Sequence, residues 1–142
     1  MRQAVAIILL LVLMGVGAVA LIPPDRHSDC TQTADLDRSI HGCTQIISRG
    51  TRESRENRVV AYHNRGYSYF RKVQFDRAIA DYTQAIKLHP RFGLAYNNRG
   101  LAYQQKGHRD KAIADYRKAL QIDPSHQVAK RNLKRLGVAT DR

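Results

Sequence analysis

Between Val59 and Pro90 the apolar and small residues fall three and four positions apart. Val59, Tyr62, Gly66, Tyr69 and Phe70 make one stripe; Phe75, Ala78, Ile79, Tyr82, Ala85 and Ile86 make a second. That spacing lays each set along one face of a helix. A short connection from Lys72 to Asp76 joins them, and Pro90 closes the segment because proline cannot continue a helix. The pattern then recurs at an offset of 34 residues, with 15 of the 32 positions in 59–90 matching 93–124. Gly107 lies in the second connection, where it can end a helix, and Pro124 closes the second segment. Each segment therefore predicts two antiparallel helices. A fixed period of this length predicts stacked units that contact mainly their neighbours and curve into a binding surface.

The conserved spacing within each segment resembles the tetratricopeptide repeat, W-x2-L-G-x2-Y, A-x3-F and P. Tyr62, Gly66, Tyr69, Ala78, Tyr82 and Pro90 take those places in the first copy; Tyr96, Gly100, Tyr103, Ala112, Tyr116 and Pro124 take them in the second. The family's Leu place holds Arg65 and Arg99. Asp81 and Asp115 are candidate partners, and an Arg99–Asp81 pair between units is expected. The resemblance implies an all-α fold, an α-solenoid of helix-turn-helix units.

Both flanks read as helpers, since about three units are usually needed for stability. Asp37 to Ile47 echoes Asp76 to Ile86 at an offset of 39, as the second helix of a degenerate unit. Its first helix would be short, around Ser28 to Thr33, with the extra residues in a polar linker from Arg49 to Asn57. Ser125 to Leu136 reads as a capping helix with Val128, Leu133 and Leu136 inward and Lys130, Arg131, Lys134 and Arg135 outward. The chain divides into 1–20 as a leader, 21–58 as the degenerate unit and linker, 59–92 and 93–126 as full repeats, and 127–142 as cap and tail.

Ala4 to Ile22 is almost continuously apolar after Arg2, and Ala18-Val19-Ala20 fits a signal cleavage site. The run is also long enough to stay as a membrane anchor. Either outcome sends the remainder across a membrane, giving a periplasmic or secreted protein in one case and an inner-membrane-anchored protein facing the periplasm in the other. Export suggests a Cys30–Cys43 disulfide between the only two cysteines. Free thiols, or a metal held by His27, Cys30, His41 and Cys43, are the alternatives; the spacing is no standard zinc pattern. The net charge of +12 spreads along the chain. It favours anionic partners or simply a soluble surface. The aromatics sit at core places and are not interleaved with cations as a nucleic-acid stacking platform requires, so no nucleic-acid partner is expected.

No nucleophile–base pair, phosphate loop or metal motif stands out, and neither enzymatic activity nor a cofactor is expected. In the family the first helices line a groove. Here those places hold Val60, His63, Asn64 and Tyr67, then Leu94, Asn97, Asn98 and Leu101, then Val128, Arg131, Asn132 and Arg135. Asn64, Asn98 and Asn132 recur once per unit, and an amide can donate to and accept from a peptide backbone. Local bonding between helices is the competing role for them. The family's carboxylate clamp is not supported, because His63 and Val128 stand where it needs Lys. The expected function is a non-catalytic module that holds an extended peptide or partner helix, acidic character in that partner being one option. The alternative is an anchored structural factor whose basic surface binds envelope polymers or lipid headgroups. Partner identity and oligomeric state are not legible.

Overall fold

The computed structural model describes residues 26–31 and 34–139. The apolar run on which the export expectation rests lies outside them. The described residues form seven α-helices and no strand: α1 Arg26–Thr31, α2 Leu36–Ser48, α3 Arg55–Arg71, α4 Phe75–Leu88, α5 Gly93–Gln105, α6 Arg109–Ile122 and α7 Gln127–Arg135. The fold is an all-α solenoid. Each helix packs on the next, and α3 also touches α1 and α5, so the first helices of successive units lie side by side.

Local chemistry sets the helix ends. The Asp35 carboxylate accepts from the amides of Asp37 and Arg38 at the start of α2, and the Ser54 hydroxyl accepts from that of Asn57 at the start of α3. Helix α3 begins at Arg55, so the last part of the expected linker is helical. Its first turn corresponds to His89–Phe92 before α5, where Pro90 follows the end of α4. The turn into α4 is three residues long and passes through Val73 at φ 61°, while Gly107 takes the same place at φ 77°.

Two close approaches hold each helix pair. A Cβ on Gly66 would meet Tyr82 Cε1 at 2.9 Å, and one on Gly100 would meet Tyr116 Cε1 at 2.8 Å. Glycine is thus required by contact, with both tyrosines fully buried. The expected Arg99–Asp81 pair does not form. Each arginine instead grips the aspartate of its own unit: Arg65 on Asp81 at 2.7 and 2.8 Å, Arg99 on Asp115 at 2.8 Å twice. Both pairs are bidentate. The remaining nitrogen reaches back one unit, from Arg65 to the Thr44 hydroxyl and from Arg99 to the Thr83 hydroxyl, at 3.0 Å in both cases. Tyrosines three residues before and four after cover the guanidinium: Tyr62 and Tyr69 on Arg65, Tyr96 and Tyr103 on Arg99. A charge in the family's Leu place is therefore fully partnered.

At the N-terminal end α1 has six residues, two before the expected start. Cys30 and Cys43 are joined at an S–S distance of 2.07 Å and pack with Ile46 and Ala61. Both sulfurs are consumed, which leaves no thiolate for a metal. Ser39 and Ser68 share a buried hydroxyl bond of 2.9 Å, where the next interface has Ala78 and Ala102. At the other end α7 buries Ala129, Asn132 and Leu133. Val128, expected inward, is 38% exposed. The helical period explains this, since Val128 lies one residue, a rotation of about 100°, from the buried Ala129.

Candidate functional site

The face formed by α3, α5 and α7 carries the groove residues. Its large apolar side chains are not buried. Among the described residues the exposed large hydrophobics are Val60, Tyr67, Val73, Leu94 and Val128, and all but Val73 lie here. Val60, Leu94 and Val128 are spaced by 34 residues, so each unit contributes one to a single row. Tyr67 stands beside them with Arg71, which donates to its hydroxyl at 3.1 Å. Leu101, its counterpart in the next unit, is half-buried against the core around Tyr116. Arg131 and Arg135 are exposed at the α7 end, and none of these groove places holds an acid.

Behind the apolar row the polar residues bond to one another. Asn132 Nδ2 donates to Asn97 Oδ1 at 3.3 Å, and Asn97 Nδ2 donates to Asn98 Oδ1 at 3.2 Å. Asn98 Nδ2 reaches His63 Nε2 at 3.1 Å, and His63 Nδ1 reaches Asn64 Oδ1 at 3.2 Å. Asn64 Nδ2 then donates to the Cys30 carbonyl at 3.2 Å. The ladder joins α7, α5, α3 and α1. Because the amide nitrogen of Asn98 can only donate, His63 accepts at Nε2 and carries its proton on Nδ1. Phe92 and Tyr82 stand against the ring at centroid distances of 5.1 and 5.8 Å. Burial lowers the His63 pKa below its ordinary value, with the Asn64 bond opposing. The neutral ring the ladder needs is thus also the one its surroundings favour.

The sequence-derived site divides in two. Asn97 and Asn132 are 2% and 5% exposed, so they bridge helices and do not reach outward. Asn64 and Asn98 are only partly buried, and each retains one N–H and one lone pair beyond its ladder bonds. Sequence reasoning did not see the continuity of the ladder. The signal was the doublet His63-Asn64, Asn97-Asn98, Arg131-Asn132, which recurs with the repeat. No group of three His, Cys, Asp or Glu side chains among the described residues could hold a metal.

Comparison with known proteins agrees with this architecture. Residues 93–126 match the family described as tetratricopeptide repeat, and residues 66–107 match a second family described as TPR repeat. No curated protein sequence matches the chain. Among solved structures, the TPR domain of Arabidopsis OM64 is similar at 24% identity and a TM-score of 0.70, over 79% of this chain and 88% of that one. The second TPR domain of human RPAP3, solved in complex with an HSP70 peptide, is similar at 23% identity and a TM-score of 0.69, over 81% and 92%. MamA is similar at 27% identity and a TM-score of 0.60, over 72% of this chain and 60% of that one.

Proposed function

We propose that this chain, a member of the tetratricopeptide repeat family, is a non-catalytic interaction module that holds a segment of another protein on the face of its first helices. The observation that carries this reading is the row Val60, Leu94 and Val128, left exposed beside the partly buried amides of Asn64 and Asn98. Exposed apolar surface concentrated on one face marks a docking site. The ladder holds the two amides in one orientation, which lowers the entropy cost of bonding to a peptide backbone. Arg131 and Arg135, with no acid at the groove places, favour a partner with carboxylates toward its α7 end. The RPAP3 domain's HSP70 peptide is a precedent for peptide binding by this fold.

The apolar run before the described residues, together with the Cys30–Cys43 disulfide, supports work outside the cytoplasm, after cleavage or on a retained anchor. Affinity capture with the folded chain, read by mass spectrometry, tests the function. Captured partners should be lost from a Val60→Lys/Leu94→Lys variant and weakened by Asn64→Ala/Asn98→Ala. Retention of every partner by both variants would remove the groove from the reading. Loss of capture with salt alone would move it to the basic surface.

A further inference from the structure

The ladder has a direction. From Asn132 to the Cys30 carbonyl, every donor points toward the N-terminal end. Amide groups fit this chain either way round, so they do not choose the direction themselves. The Cys30 carbonyl does, because it can only accept: Asn64 donates to it and accepts from His63 Nδ1, which leaves Nε2 as the acceptor for as long as it lacks a proton. We infer that the protonation state of His63 sets the polarity of the ladder, so that a proton taken up from solvent at Nε2 reverses the amides of Asn98, Asn97 and Asn132 in turn.

The steps follow from donor and acceptor counting. A proton on Nε2 faces the N–H of Asn98, two donors head to head. Asn98 turns its amide to place Oδ1 there, which aims its Nδ2 at Asn97. Asn97 must then accept from Asn98, which aims its own Nδ2 at Asn132, and Asn132 turns to accept. On the other side nothing changes, since Nδ1 still donates to Asn64 and Asn64 to the Cys30 carbonyl. The free N–H and the free lone pair of Asn98 exchange places, and a peptide unit matched to the first state is mismatched to the second.

The groups facing the ring leave this proton as the controlling one. Asn64 on α3, Asn98 on α5 and Phe92 in the loop carry no charge. Tyr82 on α4 is held in its protonated form by burial. His89 stacks behind Phe92 at 5.8 Å and makes no bond in the ladder. Arg65 and Asp81 are bound to each other on a different side of α3. The consequence for binding rests on the groove being the docking face, but the reversal itself does not.

The test is a pH titration of the 15N-labelled full chain, from about pH 7.5 to about pH 4.5, across the histidine range. The side-chain amides of Asn98, Asn97 and Asn132 should shift together, with the midpoint of the His63 ring. His126 caps α7, the helix of Asn132, so the result should persist in a His126→Ser background. In His63→Asn, which installs the residue found at the equivalent place of the next unit, the three amides should no longer shift. In Asn98→Ala, His63 should still titrate while Asn97 and Asn132 stay still, which keeps the test intact if the first variant does not fold. Amides that stay still while the ring titrates, or that move in Asn98→Ala as they do in the parent, overturn the proposal. Reversal without any pH effect on captured partners supports the ladder and counts instead against the groove as the docking face.

Discussion

Helices α3 and α4 turn through Val73 at φ 61°, whereas α5 and α6 turn through Gly107 at φ 77°. The first unit places His63 where the second has Asn97, and Tyr67 where the second has Leu101. Against these differences stand Arg65 and Arg99, Asp81 and Asp115, Gly66 and Gly100, Tyr82 and Tyr116, which repeat in identity and in geometry. The invariant set lies between helices, where a charge needs its partner and a ring needs an absent Cβ. The variable set lies at the turns and on the outward face of the first helices, except for His63 and Asn97, which differ inside the ladder. Similarity between the units thus reports mostly packing, and difference mostly where each unit meets its surroundings, with His63 and Asn97 as the exception that gives the ladder its one titratable member.

The largest test of this equivalence is the ion pair. Arg99→Leu restores the family's residue but leaves Asp115 buried and unpaired, a loss of about 3 kcal/mol in chemical denaturation. Adding Asp115→Asn should recover most of it. Arg65→Leu should behave alike, and a much smaller loss there would break the comparison. Next comes Gly100→Ala, expected to destabilise by about 2 kcal/mol through the Tyr116 ring, partly offset by helix propensity. Gly66→Ala should cost somewhat less, because Gly100 also faces the Ala112 carbonyl at 3.2 Å. Val73→Gly acts in the opposite sense. A β-branched residue in the left-handed region is strained, and this one is 69% exposed. Its replacement should raise stability by about 1 kcal/mol and make the two turns alike.

The smallest effect is pH-dependent. His63 has a folded pKa below the ordinary 6.5, so the unfolded chain takes up the proton first. Stability from this residue is present above about pH 6.5 and is lost as pH falls through the folded value. A melting series should show that slope in the parent and a shallower one in His63→Asn.

The helix pairs, their boundaries at Pro90 and Pro124 and the roles of Gly66 and Tyr82 were legible because they depend on periodicity and on residue size. The degenerate unit was legible too, since Asp37 to Ile47 retains the polar and apolar order of α4. The partner of Arg99 was not. Asp81 and Asp115 both lie on helices beside α5, and sequence offset does not say which carboxylate the guanidinium fork meets. Val73 escaped because turns were sought through glycine, and tertiary packing can hold a valine at positive φ. The asparagines were placed on the first helix of each unit and on the capping helix, but their depth was not given by position. A rotation of about 100° separates the partly exposed Asn98 from the buried Asn97.

By itself, then, the sequence determined a solenoid of stacked helix pairs and its two copies 34 residues apart. These follow from local preferences and a repeated pattern of burial, both written along the chain. Only the tertiary structure decided which aspartate each arginine grips, which amides point outward and in which direction the ladder runs. Those outcomes depend on where side chains 16 to 35 residues apart come to lie against one another, and hydrogen-bond complementarity is settled there atom by atom.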